Sequence, residues 1–294
     1  MSQMNCDVFV NQDVPSARLE GTTTSATCGP IHFKKLLGVG GFGSVYRAMV
    51  QKQELAVKVL PVDTTCELKN FRGEWSVLER LMTVTHRNVV QAFGMDRSEE
   101  NDGFAFLFFE IVPHGELYDY VYDKGGIPFQ QAWFYYEQIL EGLAFLHSQG
   151  IYHRDIKPEN ILMQSESHVQ IADFGLAHFH SNSEEVPHFY NQRGTPAYFP
   201  PELYRRGSYK ATDGDLWAAA ITLVAMCTTV PPWEEANKKD TMYKLFLMKV
   251  PPKEWNRLRR PEVSMLSDLL NSLVAKRFVP PVYKHALRSC LSGG

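Results

Sequence analysis

The eight residues HRDIKPEN, at positions 153–160, place an aspartate, a lysine and an asparagine in one short polar stretch. The residues before it, 134–147, have apolar side chains at helical spacing, and the segments 160–163 and 169–172 after it have the composition of short strands. We therefore expect a polar loop held between rigid elements, which is a common setting for functional side chains.

The polar residue types on this loop suit phosphoryl transfer to an alcohol. Asp155 can accept a proton from a hydroxyl group, Lys157 can neutralise a phosphate oxygen, and Asn160 offers an amide oxygen to a hard cation. Asp173, the first residue of the sequence DFG, adds a second acidic ligand, and the glycine of that sequence lets the backbone turn. The pattern predicts a catalytic loop with a cation site beside it.

Together the two motifs resemble the HRD-x-K-x-x-N and DFG elements of eukaryotic protein kinases, and Lys157 resembles the serine/threonine branch of that family. The resemblance implies an α+β fold of two lobes, a small β-rich N-lobe and a larger α-helical C-lobe, with ATP and Mg²⁺ as cofactors. It implies that Asp155 orients the substrate hydroxyl, that Lys157 holds a phosphate, and that Asn160 and Asp173 hold magnesium.

The resemblance also predicts the domain boundaries. Residues 1–30 lack sustained periodicity, so we expect a flexible N-terminal extension there. The kinase-like domain is expected at 31–290, with an N-lobe at 31–110, a hinge at 110–116 and a C-lobe at 117–290.

A glycine-rich stretch at 38–45, GVGGFGSV, allows backbone amides to approach phosphates closely. A dinucleotide-binding fold would need a helix to open at the last glycine, whereas residues 45–48 continue as a strand. This favours the hairpin that covers ATP in kinases. By the resemblance, the nucleotide-contacting residues of this stretch are Gly38, Val39, Gly40, Gly41, Phe42, Gly43 and Val45.

Lys58 lies near the end of the strand-like run 54–60, and the resemblance implies that it contacts the α- and β-phosphates. Without the glycine-rich stretch, a solvent-exposed lysine on an edge strand would be the default. The helical stretch 70–82 offers two acidic partners, Glu74 and Glu79. We expect Glu74, because three apolar residues follow it at core-facing spacing, and Glu79 stays open as the alternative.

Residues 104–111 are almost entirely apolar and predict a buried strand that leads into a helix. This stretch resembles the hinge between kinase lobes. The resemblance implies that Phe109 is the bulky residue beside the nucleotide, that the backbones of Glu110 and Val112 bind adenine, and that Glu116 lies near the ribose and the substrate. It also implies three apolar neighbours of the base, for which ordinary core packing is the alternative. They are Val45, Ala56 and Leu162.

The composition limits the partners of the chain. Its 294 residues are 44% hydrophobic, enough for a sizeable core, and its net charge of −3 gives no broad electrostatic reason to bind nucleic acid or an anionic membrane. By the resemblance, its partners are protein substrates with a Ser/Thr acceptor. We expect no direct nucleic-acid or membrane binding, and a monomer.

The cysteines indicate a reducing compartment, because the five are far apart and include no C-x-x-C pair. The N-terminus lacks a signal-peptide pattern and the glycine needed for myristoylation. The apolar stretch 216–230 falls short of the ~20 residues that a bilayer requires and is predicted to be a core helix. We therefore expect an intracellular protein, cytoplasmic and/or nuclear.

Residues 194–202, GTPAYFPPE, resemble the end of a kinase activation segment, with Pro200 in place of the usual alanine. The resemblance implies a cationic partner for Glu202. Arg277 is the preferred candidate, and Lys276 and Arg260 stay open.

Asp215, in the sequence DLW, resembles the aspartate that fixes the backbone of the catalytic loop in kinases. Arg154 supplies a cation that a phosphate on the activation segment could engage. We expect activity without such a phosphate, because Glu184 and Glu185 can supply permanent negative charge. The residues available for modification are Ser181, Ser183, Tyr190 and Thr195.

Within the family, residues 81–86, 109–119 and 231–234 look most like the DNA-damage checkpoint effector kinases, near the calmodulin-dependent kinase group. The sequence ends soon after the kinase-like region, so we expect the C-terminal regulatory half of those kinases to be absent. A pseudokinase that acts as a nucleotide-binding scaffold is the alternative function. Activity is favoured, because the residues it requires are all present. They are Lys58, Asp155, Asn160 and Asp173.

Two carboxylates predict the substrate preference. The resemblance brings Glu116 and Glu159 to the rim where the residues before the phosphoacceptor pass, and paired carboxylates favour guanidinium groups. We therefore expect arginine at the third residue before the acceptor, and a weaker preference at the second.

Overall fold

A computed structural model describes residues 19–26, 28–41, 43–61, 65–96, 104–181, 185–191, 193–275 and 280–292 of the protein. The chain divides into two compact units. The first contains the described residues up to Thr85 together with Val90–Ile111, and the second contains His86–Val89 and the described residues from Val112 onwards. The first is built mainly of strands and the second mainly of helices, which confirms the α+β class.

The first unit contains one sheet and one helix. Its elements are β1 (Thr23–Thr24), β2 (Ile31–Gly40), β3 (Gly43–Val50), β4 (Gln53–Pro61), α1 (Thr65–Leu81), β5 (Ala92–Asp96) and β6 (Phe104–Phe109). The strands are antiparallel and lie in the order β1-β2-β3-β4-β6-β5. Short hairpin turns join β2 to β3 and β3 to β4, and strands joined by such turns pair antiparallel.

Alternating apolar residues build the core of this unit. Phe33, Tyr46 and Phe106 pack against each other, and Phe33 meets Tyr46 edge-on at 5.3 Å between ring centroids. Helix α1 buries Val77, Leu78 and Leu81 at helical spacing.

Ordered structure begins before residue 31, earlier than the sequence predicted. Thr23 and Thr24 pair with β2, and Leu19, Ala26 and Cys28 pack against its core side. These apolar residues are too few and too irregularly spaced to show a periodic pattern, which is why β1 could not be predicted from the sequence.

The second unit resumes at Val112, shortly before its first helix, and contains the remaining elements. They are α2 (Leu117–Asp123), α3 (Phe129–Ser148), β7 (Ile151–Tyr152), β8 (Ile161–Ser165), β9 (His168–Ile171), β10 (His178–Phe179), β11 (His188–Phe189), α4 (Pro201–Arg206), β12 (Tyr209–Lys210), α5 (Ala211–Thr228), α6 (Thr241–Leu247), α7 (Arg260–Val274) and α8 (Pro281–Ser292). Three short 3₁₀ turns complete it, at Pro158–Asn160, Pro196–Tyr198 and Lys253–Arg257.

Helix α5 is the centre of the second unit. It is buried almost all round, and it packs against α3 and α7. A helix that is apolar on every side belongs in a core, as the sequence predicted for residues 216–230. Among the described residues, no helix is long and apolar enough to cross a membrane.

The hairpin β8–β9 sets the position of the polar loop. Ile161 pairs with Ile171, and the stretch 153–160 leads directly into this hairpin through the 3₁₀ turn. The sequence predicted a strand from Asn160, but the strand starts one residue later because Pro158 begins a helical turn there.

Candidate active site

The glycine-rich stretch of the first unit forms a tight hairpin between β2 and β3. Val39 pairs with Ser44 and Gly40 with Gly43, so the two strands stay paired up to the end of the hairpin. Gly43 has a φ of +150°, and a Cβ there would lie 2.2 Å from the backbone oxygen of Val59. Only glycine fits at that position. Phe42, predicted to contact the nucleotide, lies outside the described residues.

Lys58 forms a buried ion pair in the first unit. Its Nζ lies 2.8 Å from Oε1 of Glu74, and the two side chains are 8% and 3% exposed. Glu79, the alternative partner, is exposed. Because an unpaired charge in such a place would be costly, each group supplies the opposite charge that the other needs.

Three of the residues predicted to bind the base or lie beside it are on paired strands of the first unit. Ala56 on β4 faces Phe109 on β6, and Gly38 faces Val45 across the hairpin. The backbone N–H of Glu110 donates to the oxygen of Gln91 at 3.0 Å, so this donor is committed to the first unit. In the second unit, Val112 is half-buried, and Glu116 forms a β-bridge with Leu162.

The backbone of the polar loop in the second unit is bound by the carboxylate of Asp215 on α5. The backbone N–H groups of His153 and Arg154 donate to the two oxygens of its carboxylate at 2.9 and 2.7 Å. Arg154 has a φ of +70°, a conformation that non-glycine residues adopt only where the surroundings impose it. Asp215 supplies that constraint.

Asp215 is ionised despite complete burial. Burial opposes its ionisation, but the hydrogen bond and charge of His147, the charge of His153 and the N–H of Arg154 outweigh that effect and lower its pKa. His147 Nε2 lies 2.8 Å from Oδ2 of Asp215, and its Nδ1 lies 2.7 Å from the hydroxyl of Tyr283 on α8. A chain of hydrogen bonds thus connects α8 to the loop.

Four groups surround the carboxylate of Asp155. Nζ of Lys157 lies 2.9 Å from Oδ2, and Nδ2 of Asn160 donates to the same oxygen at 2.9 Å. The N–H and the hydroxyl of Thr195 donate to Oδ1, both at 3.3 Å, and Lys157 also donates to the Thr195 hydroxyl at 3.0 Å. Gly194 permits this approach, since a Cβ there would lie 3.1 Å from Oδ1 of Asp155.

Asn160 and Asp173 lie at the same end of the β8–β9 hairpin. The N–H of Ala172 donates to the backbone oxygen of Asn160 at 2.9 Å, so Asp173 follows directly after a paired position. The side-chain N–H groups of Asn160 are used by Asp155, which leaves its amide oxygen facing the other way. An amide oxygen and an exposed carboxylate fit Mg²⁺, which prefers few protein oxygens and retains several waters.

A family model described as the protein kinase domain matches residues 31–287. The chain belongs to the protein kinase family. It is 34% identical over 248 residues to the serine/threonine-protein kinase chk-1 of Caenorhabditis briggsae, an alignment that covers 83% of this chain and 50% of that protein.

Other relatives are also serine/threonine kinases. The chain is 31% identical over 248 residues to chk-1 of Caenorhabditis elegans, covering 82% of this chain and 49% of that protein. It is 31% identical over 258 residues to the CBL-interacting serine/threonine-protein kinase 12 of Arabidopsis thaliana, covering 86% and 51%. The chain therefore spans about half the length of the curated relatives it matches.

In this kinase-family chain the guanidinium group of Arg154 contacts two residues of the activation segment, Phe189 and Asn191. Its central carbon lies 3.9 Å from the ring centroid of Phe189, and one nitrogen donates to Oδ1 of Asn191 at 2.7 Å. Phe189 in turn packs against Tyr209 and His178. The sequence placed Arg154 opposite a possible phosphate, but gave no sign of these uncharged partners.

The negative charge of Glu159 acts on the carboxyl group of Glu116 in the second unit. Burial raises the pKa of Glu116, and the negative charges of Asp119 and Glu159 raise it further, against the opposing charge of Lys157. Oε2 of Glu159 is buried and makes no hydrogen bond within the described part of the chain. A buried carboxylate oxygen without a donor favours a cationic ligand.

An apolar cavity of about 140 Å³ adjoins Glu159 and Thr195. Its walls include the stacked rings of Tyr118 and Tyr122, 5.9 Å apart, and the ring of Tyr198. Burial raises the pKa of Tyr198, and the charges of Glu159 and Asp155 add to this. The cavity therefore combines aromatic faces with negative charge, close to the residues around Asp155.

The structure excludes one of the three candidate partners of Glu202. Arg277 and Lys276 lie outside the described residues. Arg260 is exposed and forms no ion pair with any described residue, so it is not the partner of the buried Glu202. The prediction for Arg277 stays a prediction.

Proposed function

We propose that this chain is an ATP-dependent protein kinase that transfers the γ-phosphate to serine and threonine hydroxyls of protein substrates. The observation that carries the proposal is the arrangement at Asp155, whose carboxylate is oriented by Asn160, Lys157 and Thr195. A carboxylate fixed in this way is suited to orient a hydroxyl group and accept its proton.

The chain's own residues divide the work of phosphoryl transfer between positioning and charge neutralisation. In the second unit, Asp155 orients the acceptor hydroxyl and Lys157 holds the transferred phosphate. In the first unit, Lys58, paired with Glu74, holds the α- and β-phosphates, and the glycine-rich hairpin offers backbone N–H groups to them.

Asn160 and Asp173 would hold the magnesium ion, which neutralises the charge that develops on the phosphates. The adenine would contact the backbone of Glu110 and Val112 and the side chains of Val45, Ala56 and Leu162. The bulky Phe109 and the carboxylate of Glu116 complete the proposed nucleotide-binding set.

Protein substrates are proposed to carry arginine at the third residue before the acceptor. Glu116 and Glu159 form the negative site for it, as the contribution of the Glu159 charge to the raised pKa of Glu116 supports. Guanidinium groups bind carboxylates through charge-assisted, often bidentate hydrogen bonds. Each such bond is worth about 1.5–3 kcal/mol, which corresponds to a change in kcat/KM of about tenfold or more.

Checkpoint signalling is the cellular role we propose, in the nucleus, the cytoplasm or both. It is supported by the resemblance of residues 109–119 to checkpoint effector kinases and by the similarity to the two chk-1 proteins. Cells that lack the protein should fail to arrest after DNA damage, and wild type but not Asp155→Asn should restore the arrest. Restoration by both would assign the role to a scaffold.

The test of the enzymatic proposal is Asp155→Asn. The variant should bind Mg-ATP as well as wild type does but lose most phosphate transfer to a serine peptide, because it lacks the carboxylate that accepts the hydroxyl proton and keeps the residues proposed to bind the nucleotide. Calorimetric ATP titration and phosphate incorporation measure the two properties. Wild-type protein that binds Mg-ATP without any transfer would instead support the pseudokinase alternative.

A further inference from the structure

A basic groove lies on the second unit between α6 and α7, remote in sequence from the residues around Asp155. We define it by six of its lining residues, and its volume is about 360 Å³. These are Pro251, Lys253, Trp255, Leu258, Arg260 and Val263. Its volume falls within the range of ~300–1,000 Å³ that small-ligand pockets cover.

The floor and the approach to the basic groove are apolar. Trp255 is 1% exposed, so the groove rests on a rigid aromatic ring of the core. Just before it along the chain, Met248 is 72% exposed and Val250 is 45% exposed. Exposed apolar side chains that immediately precede the lining residues in sequence favour the binding of another apolar group in this part of the surface.

The residues around the basic groove are rich in positively charged side chains. Residues 244–260 contain six lysines and arginines against one glutamate, although the whole chain has 30 basic and 33 acidic residues. Five of the six are exposed and lie within 249–260. Arg259 is paired with Glu262 and Arg257 donates to the backbone oxygen of Gly125, whereas Arg260 forms no ion pair with any described residue. Positive charge is therefore concentrated here against the sign of the net charge, which favours an anionic partner.

We propose that the basic groove is a docking site for an acidic protein segment that carries one apolar anchor residue. The anchor would fill the groove over Trp255, and the flanking carboxylates would pair with the cations of the rim, Lys253 and Arg260 among them. A concave floor favours a side chain over a flat lipid surface, so a protein partner fits better than an anionic membrane. The inference goes beyond the proposed kinase reaction and does not depend on it.

The probe is a fluorescein-labelled peptide with six acidic residues around a central Phe-Leu pair, titrated with the full chain in the absence of ATP. We expect saturable binding that weakens as salt rises. The double variant Lys253→Glu/Arg260→Glu should weaken binding at least tenfold. The control Lys238→Glu/Lys239→Glu makes the same change in net charge at exposed lysines of the same unit and should change the Kd less than threefold.

Two further probes separate the anchor from the charge. A peptide with Ser-Ser in place of Phe-Leu should bind at least tenfold more weakly, whereas equal affinity would overturn the proposal because the concave floor would then play no part. An equal loss in both double variants would also overturn it. The thermal unfolding midpoint of each variant, together with its activity on a short peptide, should match wild type.

Alternative occupants give different results. Tighter binding to vesicles containing phosphatidylserine than to the acidic peptide, abolished by Lys253→Glu/Arg260→Glu, would replace the protein partner by a membrane. A peptide of residues 1–18, which contains apolar residues between two aspartates, serves as the intramolecular competitor. If it binds the basic groove more tightly than the probe does, the occupant is this chain itself and the proposal is overturned.

Discussion

The hydroxyl of Tyr283 lies 2.7 Å from Nδ1 of His147. Since the other nitrogen of this imidazole contacts Asp215, which accepts from the backbone of His153 and Arg154, a residue of α8 lies three contacts from the catalytic loop. Burial, together with the charge of Asp215, raises the pKa of Tyr283, so the phenol stays protonated at every pH of interest. Helix α8 therefore stabilises the loop through a fully buried polar network.

Removing this hydroxyl should destabilise the second unit. In Tyr283→Phe the packing is kept, but Nδ1 of the buried His147 loses its partner, so we expect the free energy of unfolding to fall by about 1–3 kcal/mol. Urea unfolding followed by circular dichroism measures it. Tyr122→Phe is the control, because Tyr122 is 63% exposed. Equal stability of wild type and Tyr283→Phe would show that the contact contributes nothing.

The Lys58–Glu74 pair predicts a contrast between two neighbouring glutamates. Glu74→Gln removes the carboxylate charge that pairs with the buried Lys58, and breaking a buried pair in this way costs about 3–5 kcal/mol. We expect lower stability and a large loss of kcat/KM. Glu79→Gln, five residues further along the helix on the exposed side, should match wild type in both. The opposite order of effects would reassign the partner.

A contact can be predicted from the sequence when the pattern that signals it lies within one short segment. The Lys58–Glu74 pair was predictable, because Glu74 precedes apolar residues at helical spacing. The contact between Arg154 and Phe189 was not, since it joins residues far apart in sequence and involves no opposite charge. Tyr283 gave no signal either, because one tyrosine on an amphipathic helix is indistinguishable from core packing.

The stacking of Arg154 on Phe189 predicts activity without phosphorylation of the activation segment. A cation–π contact and the hydrogen bond to Asn191 already hold the guanidinium group that a phosphate would otherwise engage. Phosphatase-treated enzyme should therefore keep at least half of its kcat on a serine peptide. Protein that becomes inert on this treatment, and recovers when a residue of the segment is phosphorylated again, would contradict the prediction.

Phe189 itself should be needed for that activity. A cation–π contact is worth about 0.5–2 kcal/mol, so Phe189→Ala should lower kcat by roughly 2- to 30-fold. Tyr190→Ala removes an adjacent aromatic ring that is 77% exposed and should have little effect. If both variants behave alike, the loss comes from the segment as a whole and not from the contact with Arg154.

The last prediction concerns the pH dependence of the arginine preference. Burial, Asp119 and Glu159 raise the pKa of Glu116, so its carboxylate takes up a proton at a higher pH than an ordinary glutamate does. Only the ionised form attracts a guanidinium group strongly. The preference should therefore be complete at pH above this raised pKa and decline as the pH falls through it.

The measurement is the ratio of kcat/KM for two serine peptides that carry arginine or alanine at the third position before the acceptor. Titrations of catalytic groups affect both peptides and cancel in the ratio, so its decline between pH 8 and pH 5 reports the binding carboxylate. Glu116→Gln should give a ratio near one at every pH, whereas Asp123→Gln, on an exposed position of α2, should keep the wild-type profile.

A wild-type ratio near one at pH 8 would contradict the proposed arginine preference. A high ratio that Glu116→Gln leaves unchanged would assign the recognition to another carboxylate, for which Glu159→Gln is the next variant.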